Sequence, residues 1–146
     1  MYHRSLTDLS ITIVGAGDIG NEVARLCKLM GMHVCGVVRK QSSLHKCQYI
    51  DQYKLSKDLP EALKFADIVC CVLPKTSATD DLLGGGILEN CSVKKPLFIN
   101  IGRGNIIKEE EILHAIRQKW ISAAALDVFQ IEPLPKSSQL WDEPNV

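Results

Sequence analysis

The most constraining stretch of the chain is its glycine loop. Ser10 to Val14 is a short β-rich run, and Gly15-Ala16-Gly17-Asp18-Ile19-Gly20 follows it without a gap. Beyond the loop, Ile19, Val23, Leu26 and Met30 recur at helical spacing until Gly31 offers a stop. A G-x-G-x-x-G match means little alone, but between a strand and a helix it describes a nucleotide-binding turn. The first glycine permits a tight turn, the second lets backbone approach a pyrophosphate, and the third allows close helix–strand packing. The helix start supplies free N–H groups and partial positive charge to the phosphates. Gly15, Gly17, Asp18, Ile19 and Gly20 are therefore expected at a dinucleotide.

The remainder alternates short apolar runs with amphipathic ones. Strands are expected at 33–38, weakly at 48–54, and then at 67–73, 97–101 and 122–128. Asp58, with Pro60 and Glu61 after it, reads as a capping box opening a helix that runs to about Ala66. A second helix is expected over 108–120, with Glu109, Glu110 and Glu111 at its start and Arg117 and Lys119 at its end, matching the helix dipole. Residues 76–91 read as a loop with at most a short helix, broken at Gly84-Gly85-Gly86. Alternating strands and helices imply parallel pairing through right-handed crossovers. The fold class expected is α/β, a three-layer doubly wound Rossmann fold with a mainly parallel sheet, occupying residues 1–146 as one domain. Ligands of such sheets bind beyond the carboxyl ends of the strands.

Composition removes several function classes. Seventeen basic residues balance seventeen acidic ones, so no net charge draws the chain to nucleic acid or an acidic membrane. The longest apolar run, Ile68 to Leu73, is too short to span a bilayer, and residues 1–8 carry no signal-type apolar stretch. The six cysteines show neither a Cys-x-x-Cys pair nor a Cys/His spacing suited to zinc, so no metal site is expected. Free thiols in a reducing, cytoplasmic compartment are the expectation.

The end of the second strand bears on the cofactor. NAD-binding versions of this turn usually place an acid there for the ribose 2′-hydroxyl. Here the run is Arg39-Lys40-Gln41-Ser42-Ser43, and no Asp or Glu occurs between Glu22 and Asp51. Arg39 can grip a 2′-phosphate through its planar fork, with Lys40 adding charge and Ser42 a hydroxyl. NADP(H) is the preferred cofactor on this reading and NAD(H) a possible one; a solvated basic loop is the bland alternative.

Further motifs follow in a fixed order: Val72-Leu73-Pro74-x-Thr76-x-x-Thr79, Asn100-Ile101-Gly102-Arg103-Gly104, Ala125-Leu126-Asp127-Val128-Phe129, Glu132-Pro133-Leu134-Pro135, and Leu140-Trp141-Asp142-Glu143-Pro144-Asn145-Val146. Together with the glycine loop they resemble the nucleotide-binding domain of the D-isomer-specific 2-hydroxyacid dehydrogenases, most of all the glyoxylate/hydroxypyruvate reductase branch. The resemblance implies hydride transfer between the cofactor and a small 2-keto or 2-hydroxy acid. It makes Arg103 the cation that binds the substrate's carboxylate and carbonyl. Glu132 becomes the acid that keeps a catalytic histidine protonated. Asp127 is placed at the nicotinamide carboxamide, and Leu73, Pro74, Thr79, Ile101 and Arg103 along the cofactor.

The resemblance also implies a histidine shortly after the Pro-Asn-Val segment. None of His3, His33, His45 and His114 suits that place, and the family's separate substrate domain has no counterpart in these residues. The expectation is cofactor binding without turnover by residues 1–146 alone, with a homodimer formed through this domain. Two other readings stay open. One is an NAD(H)-sensing corepressor of the C-terminal-binding-protein type, which shares the fold but is disfavoured by the acid-free second strand. The other is a cofactor-binding fragment whose main property is association.

Overall fold

The computed structural model describes residues 4–43 and 47–146, with the side chain of Ser42 outside the description. Six strands, β1 (Ser10–Val14), β2 (His33–Val38), β3 (Gln52–Leu55), β4 (Ile68–Cys71), β5 (Leu97–Asn100) and β6 (Ala123–Leu126), form one sheet in the order β3-β2-β1-β4-β5-β6. Every neighbouring pair is parallel. Three α-helices connect them: α1 (Asp18–Leu29), α2 (Leu59–Leu63) and α3 (Glu109–Arg117). The chain leaves β1 toward β2 and re-enters on the other side as β4, so the topological switch point lies between β1 and β4. The expected fold class holds, and the sheet is parallel throughout.

Alternate residues of each strand enter different cores. Val37, Val69, Cys71, Phe98 and Ala124 pack with Leu59, Ala62 and Leu63 of α2 and with Ile112, Ala115 and Ile116 of α3. Ile11, Ile13, Val34 and Cys70 pack on the opposite face with Ala24 of α1 and Ile50. Burial on both faces is why the central strands read as unbroken apolar runs.

Several local expectations are corrected. The helix expected from Ile19, Val23, Leu26 and Met30 forms as α1, but of that stripe Val23 packs against the core beside the buried Gly20 and Ala24, whereas Ile19 and Leu26 are 65% and 44% exposed. Small residues let the helix lie close to the sheet, which leaves the larger Ile19 and Leu26 outside. No capping box opens α2, because the chain enters it from a 3-10 turn at Ser56–Asp58 that turns the Asp58 carboxylate away from cap geometry. Glu61 pairs instead with Lys64 at 2.8 Å, and α2 ends at Leu63, earlier than Ala66. The strands at 48–54, 67–73 and 122–128 are shorter than expected, and α3 ends at Arg117. The Gly84–Gly86 run is ordered: Gly85 and Gly86 adopt left-handed φ of 63° and 77°, and the Gly86 N–H donates to Glu111 Oε2 at 3.2 Å.

All six cysteines are free, as expected. Burial pushes the thiols of Cys71 and Cys91 up to about 12. Among the described residues no helix is long and apolar enough to cross a membrane.

At the sheet's amino edge, Asp67 ties three segments together. Its carboxylate accepts from Arg4 Nη1 (2.8 Å), from Ser10 N and Oγ (2.9 and 3.0 Å), and from Lys94 Nζ (3.3 Å). Burial alone would raise its pKa, but these donors outweigh it and hold the group far below the usual carboxylate range. A depressed folded-state pKa contributes stability that is present above the unfolded value near 4 and is lost as pH falls toward the folded one. We expect Asp67→Asn to flatten the fall in thermal stability between about pH 5 and pH 2. An unchanged acid limb in the variant's melting curves would contradict this assignment.

Candidate functional site

The strand ends that face the switch point are locked together by main-chain bonds. The N–H groups of Gly15 and Ala16 donate to Val37 O (3.1 and 3.3 Å), and Val72 N donates to Val14 O at 2.9 Å. Ile101 N then donates to Cys71 O (3.1 Å), and Asp127 N to Asn100 O (3.0 Å). Each loop thus leaves the sheet bonded to the last residue of its neighbour, or to the next-to-last in the case of β2.

Over the ends of β1, β2 and β4 lies a cleft of about 390 Å³. Its floor is Gly15, Ala16 and Gly17. A Cβ built on Gly15 would stand 2.9 Å from the Val72 carbonyl oxygen, and one on Gly20 would overlap the Gly15 carbonyl. Gly15 and Gly20 therefore bring loop, strand and helix together, whereas a Cβ on Gly17 would meet nothing within 4 Å. Gly17 is also the N-cap of α1 and offers no side-chain acceptor, so the N–H groups of the first turn keep their donors free. A bare glycine floor, free amides and the positive end of a twelve-residue helix fit a diphosphate.

One wall is built by Val38, Arg39, Ser43 and Ser56. Arg39 is exposed, and among the described residues no carboxylate lines the cleft. Asp51, the next acid along the chain, is tied at the other end of β2, where it pairs with Lys28 and accepts from Val34 N at 2.9 Å. The other wall holds Leu73, Pro74, Thr76, Ala78, Thr79 and Leu82. The Thr79 hydroxyl donates to Pro74 O at 2.7 Å and accepts from Thr76 N at 2.9 Å, so it closes the loop on itself.

A second cluster stands at the ends of β5 and β6. Arg103 is exposed, with Nη1 donating to Gly102 O at 2.8 Å. Gly104 abuts the main chain of Phe129 and Gln130, which puts the arginine loop against the segment carrying Glu132. Glu132 is exposed, and its Oε1 accepts from Phe129 N at 3.0 Å. Asp127 is exposed one residue beyond β6.

Of the residues expected at the cofactor, Gly15, Gly17, Arg39, Leu73, Pro74 and Thr79 line the cleft, and Gly20 supports it from beneath. Asp18, Ile19, Lys40, Ile101, Arg103 and Asp127 do not line it. Asp18 faces an outer groove with Asn21, Glu22 and Arg25. The Ser42 side chain, His3 and His45 lie outside what the structure describes. His33 begins β2 beside Asp51, and His114 stacks edge-on with Trp120 on α3, so neither lines the cleft. Sequence reasoning passed over Ser43, Ser56, Thr76, Ala78 and Leu82. They reach the wall only through tertiary placement, and short polar loops carry no signal for that.

Comparison with known proteins agrees with this geometry. The family model described as D-isomer specific 2-hydroxyacid dehydrogenase, NAD binding domain, matches residues 1–146. Glyoxylate/hydroxypyruvate reductase B of Enterobacter agglomerans is 36% identical over 137 residues, covering 92% of this chain and 41% of its own length. A D-isomer specific 2-hydroxyacid dehydrogenase from Xanthobacter autotrophicus Py2, solved with NADPH and MES, superposes with a TM-score of 0.91 at 30% identity, over 100% of this chain and 45% of its own. An NADPH-dependent glyoxylate/hydroxypyruvate reductase from Sinorhizobium meliloti, solved with NADP and sulfate, gives 0.90 at 29% identity, over 100% and 46%. The chain thus spans less than half the length of each of these three relatives. Its glycine floor, its all-parallel sheet and a match over every residue agree, and the chain belongs to the D-isomer specific 2-hydroxyacid dehydrogenase family, as an NAD-binding domain.

Proposed function

We propose that this chain is the cofactor-binding domain of an NADP(H)-preferring reductase of small 2-keto acids such as glyoxylate or hydroxypyruvate. The observation that carries the cofactor preference is Arg39 in the wall of a cleft that no carboxylate among the described residues lines. Arg39 meets the 2′-phosphate, Ser43 and Ser56 lie within the same wall, and the first turn of α1 holds the diphosphate. Names of relatives support the substrate class: one is a glyoxylate/hydroxypyruvate reductase and another is described as NADPH-dependent.

When bound, the cofactor supplies or accepts the hydride. Arg103 then grips the carboxylate and carbonyl oxygens of the acid in a two-pronged contact and orients the carbonyl carbon. Asp127 accepts from the nicotinamide carboxamide. Glu132 holds an imidazole in its protonated form so that it can give a proton to the developing alkoxide. The family resemblance gives that imidazole to a segment shortly after the Pro-Asn-Val run and most of the acid's pocket to a separate substrate domain, so residues 1–146 alone bind cofactor without turning over. The protein works in the cytoplasm, a compartment that six free thiols suit.

Calorimetric titration with NADPH and NADH in parallel is the test. Tighter binding of NADPH supports the reading, and tighter binding of NADH would sink the preference and favour a corepressor-type role. Reduction of glyoxylate by these 146 residues alone would overturn the division of labour.

A homodimer through this domain is part of the same reading. The exposed side chains of Ile19, Leu26 and Leu29 on α1 and of Met30 just beyond it supply an apolar strip for it. Sedimentation should show a concentration-dependent dimer that Leu26→Glu weakens; a monomer at all concentrations would exclude it.

A further inference from the structure

The geometry points to Asn100 as a positioning residue whose side chain fixes the backbone that carries Arg103. The inference rests on the reductase reading above, because it assigns a purpose to the arginine loop. Asn100 is the last residue of β5 and only 1% exposed, an unusual position for an amide side chain. Burial on that scale is tolerable only if both ends of the amide are bonded.

Both ends are bonded, and both partners flank the arginine. Oδ1 accepts from Gly102 N at 3.1 Å, and Nδ2 donates to Arg103 O at 3.1 Å. The side chain therefore closes a small ring with the loop it precedes and fixes the backbone from which the guanidinium springs. Its own carbonyl accepts from Asp127 N at 3.0 Å. One buried residue thus joins the loop that holds the acid to the residue proposed for the nicotinamide carboxamide. Neither bond touches the nucleotide cleft, whose lining does not include Asn100. Loss of the side chain should loosen the arginine loop and leave the diphosphate floor in place.

The test uses the full-length protein that the proposed function implies, with glyoxylate and NADPH. Wild-type protein that binds NADPH but does not reduce a 2-keto acid would break the underlying reading, not this inference. With an active wild type, Asn100→Ala should raise KM for glyoxylate about tenfold or more, as expected when a binding group is misplaced by a fraction of an ångström. The Kd for NADPH should stay within about twofold in the same variant. In an Arg103→Ala background, Asn100→Ala should cost less than about twofold more, since its effect travels through that arginine. Should Asn100→Ala fail to fold, Asn100→Ser, which keeps one hydroxyl for one partner, is read in the same cycle. An unchanged KM, a parallel loss of NADPH affinity, or an undiminished penalty in the Arg103→Ala background would each overturn the assignment.

Discussion

Replacing Arg39 with Ala should weaken NADPH binding by about 10- to 100-fold and leave NADH binding within about twofold. A hydrogen bond to a charged group contributes roughly 1.5–3 kcal/mol when one partner is deleted. Arg39 is exposed, so solvent screening places the effect toward the lower part of that range. At 1.4 kcal/mol per tenfold, the result is one to two decades. The discrimination arises because only the 2′-phosphate differs between the cofactors. Arg39→Asp should go further, since a carboxylate repels the phosphate and can accept from a ribose hydroxyl. Calorimetry on both cofactors reads the difference directly. Equal losses for NADPH and NADH would mean that Arg39 serves the shared diphosphate, and the preference would need another origin.

Gly104→Ala should lower stability by about 2–4 kcal/mol, at and above the upper end of the roughly 1–3 kcal/mol usual for overpacking, because the main chain it meets cannot move away. A Cβ at Gly104 would fall on the carbonyl group of Phe129 and crowd Gln130 N, and Gly104 is itself buried. For a domain near 150 residues, each kcal/mol shifts Tm by about 2–4 °C, so a drop of roughly 4–16 °C is expected. Gly17→Ala is the control, because its Cβ would meet nothing within 4 Å and should leave Tm almost unchanged. Similar melting temperatures for the two variants would show that the Phe129 segment yields, and that the contact is loose.

Much of this was legible in the sequence where the signal is local. A strand, three spaced glycines and a helix fix one another within twenty residues, and Arg39 follows at the end of the next strand. The strands at 33–38 and 97–101 were equally plain, since each is a short apolar run, and the structure gives them as His33–Val38 and Leu97–Asn100. Failures came where tertiary context decides. The stripe at Ile19, Val23, Leu26 and Met30 has perfect helical spacing, yet close packing selects Gly20 and Ala24, with Val23 beside them, as the inner face. Asp58 has the chemistry of a cap, but a preceding 3-10 turn takes its geometry. Thr79 was expected as a cofactor contact and lines the cleft, with its hydroxyl spent inside the loop. Asn100 was visible only as one letter of a motif. Nothing in its neighbours along the chain shows that its amide curls back onto Gly102 and Arg103.

The main-chain bonds that join each departing loop to the adjacent strand end give the four loops a common origin. Their starting coordinates depend on peptide groups, which every sequence possesses, and not on the side chains that do the recognising. Changes at Arg39, proposed for the nucleotide, and at Arg103, proposed for the acid, can therefore be selected separately. A lineage could exchange one cofactor for the other, or one acid for another, by altering a few outward-pointing residues while the rim stays in register. The architecture in this sense divides heredity into a conserved scaffold of peptide bonds and an independently variable set of contacts.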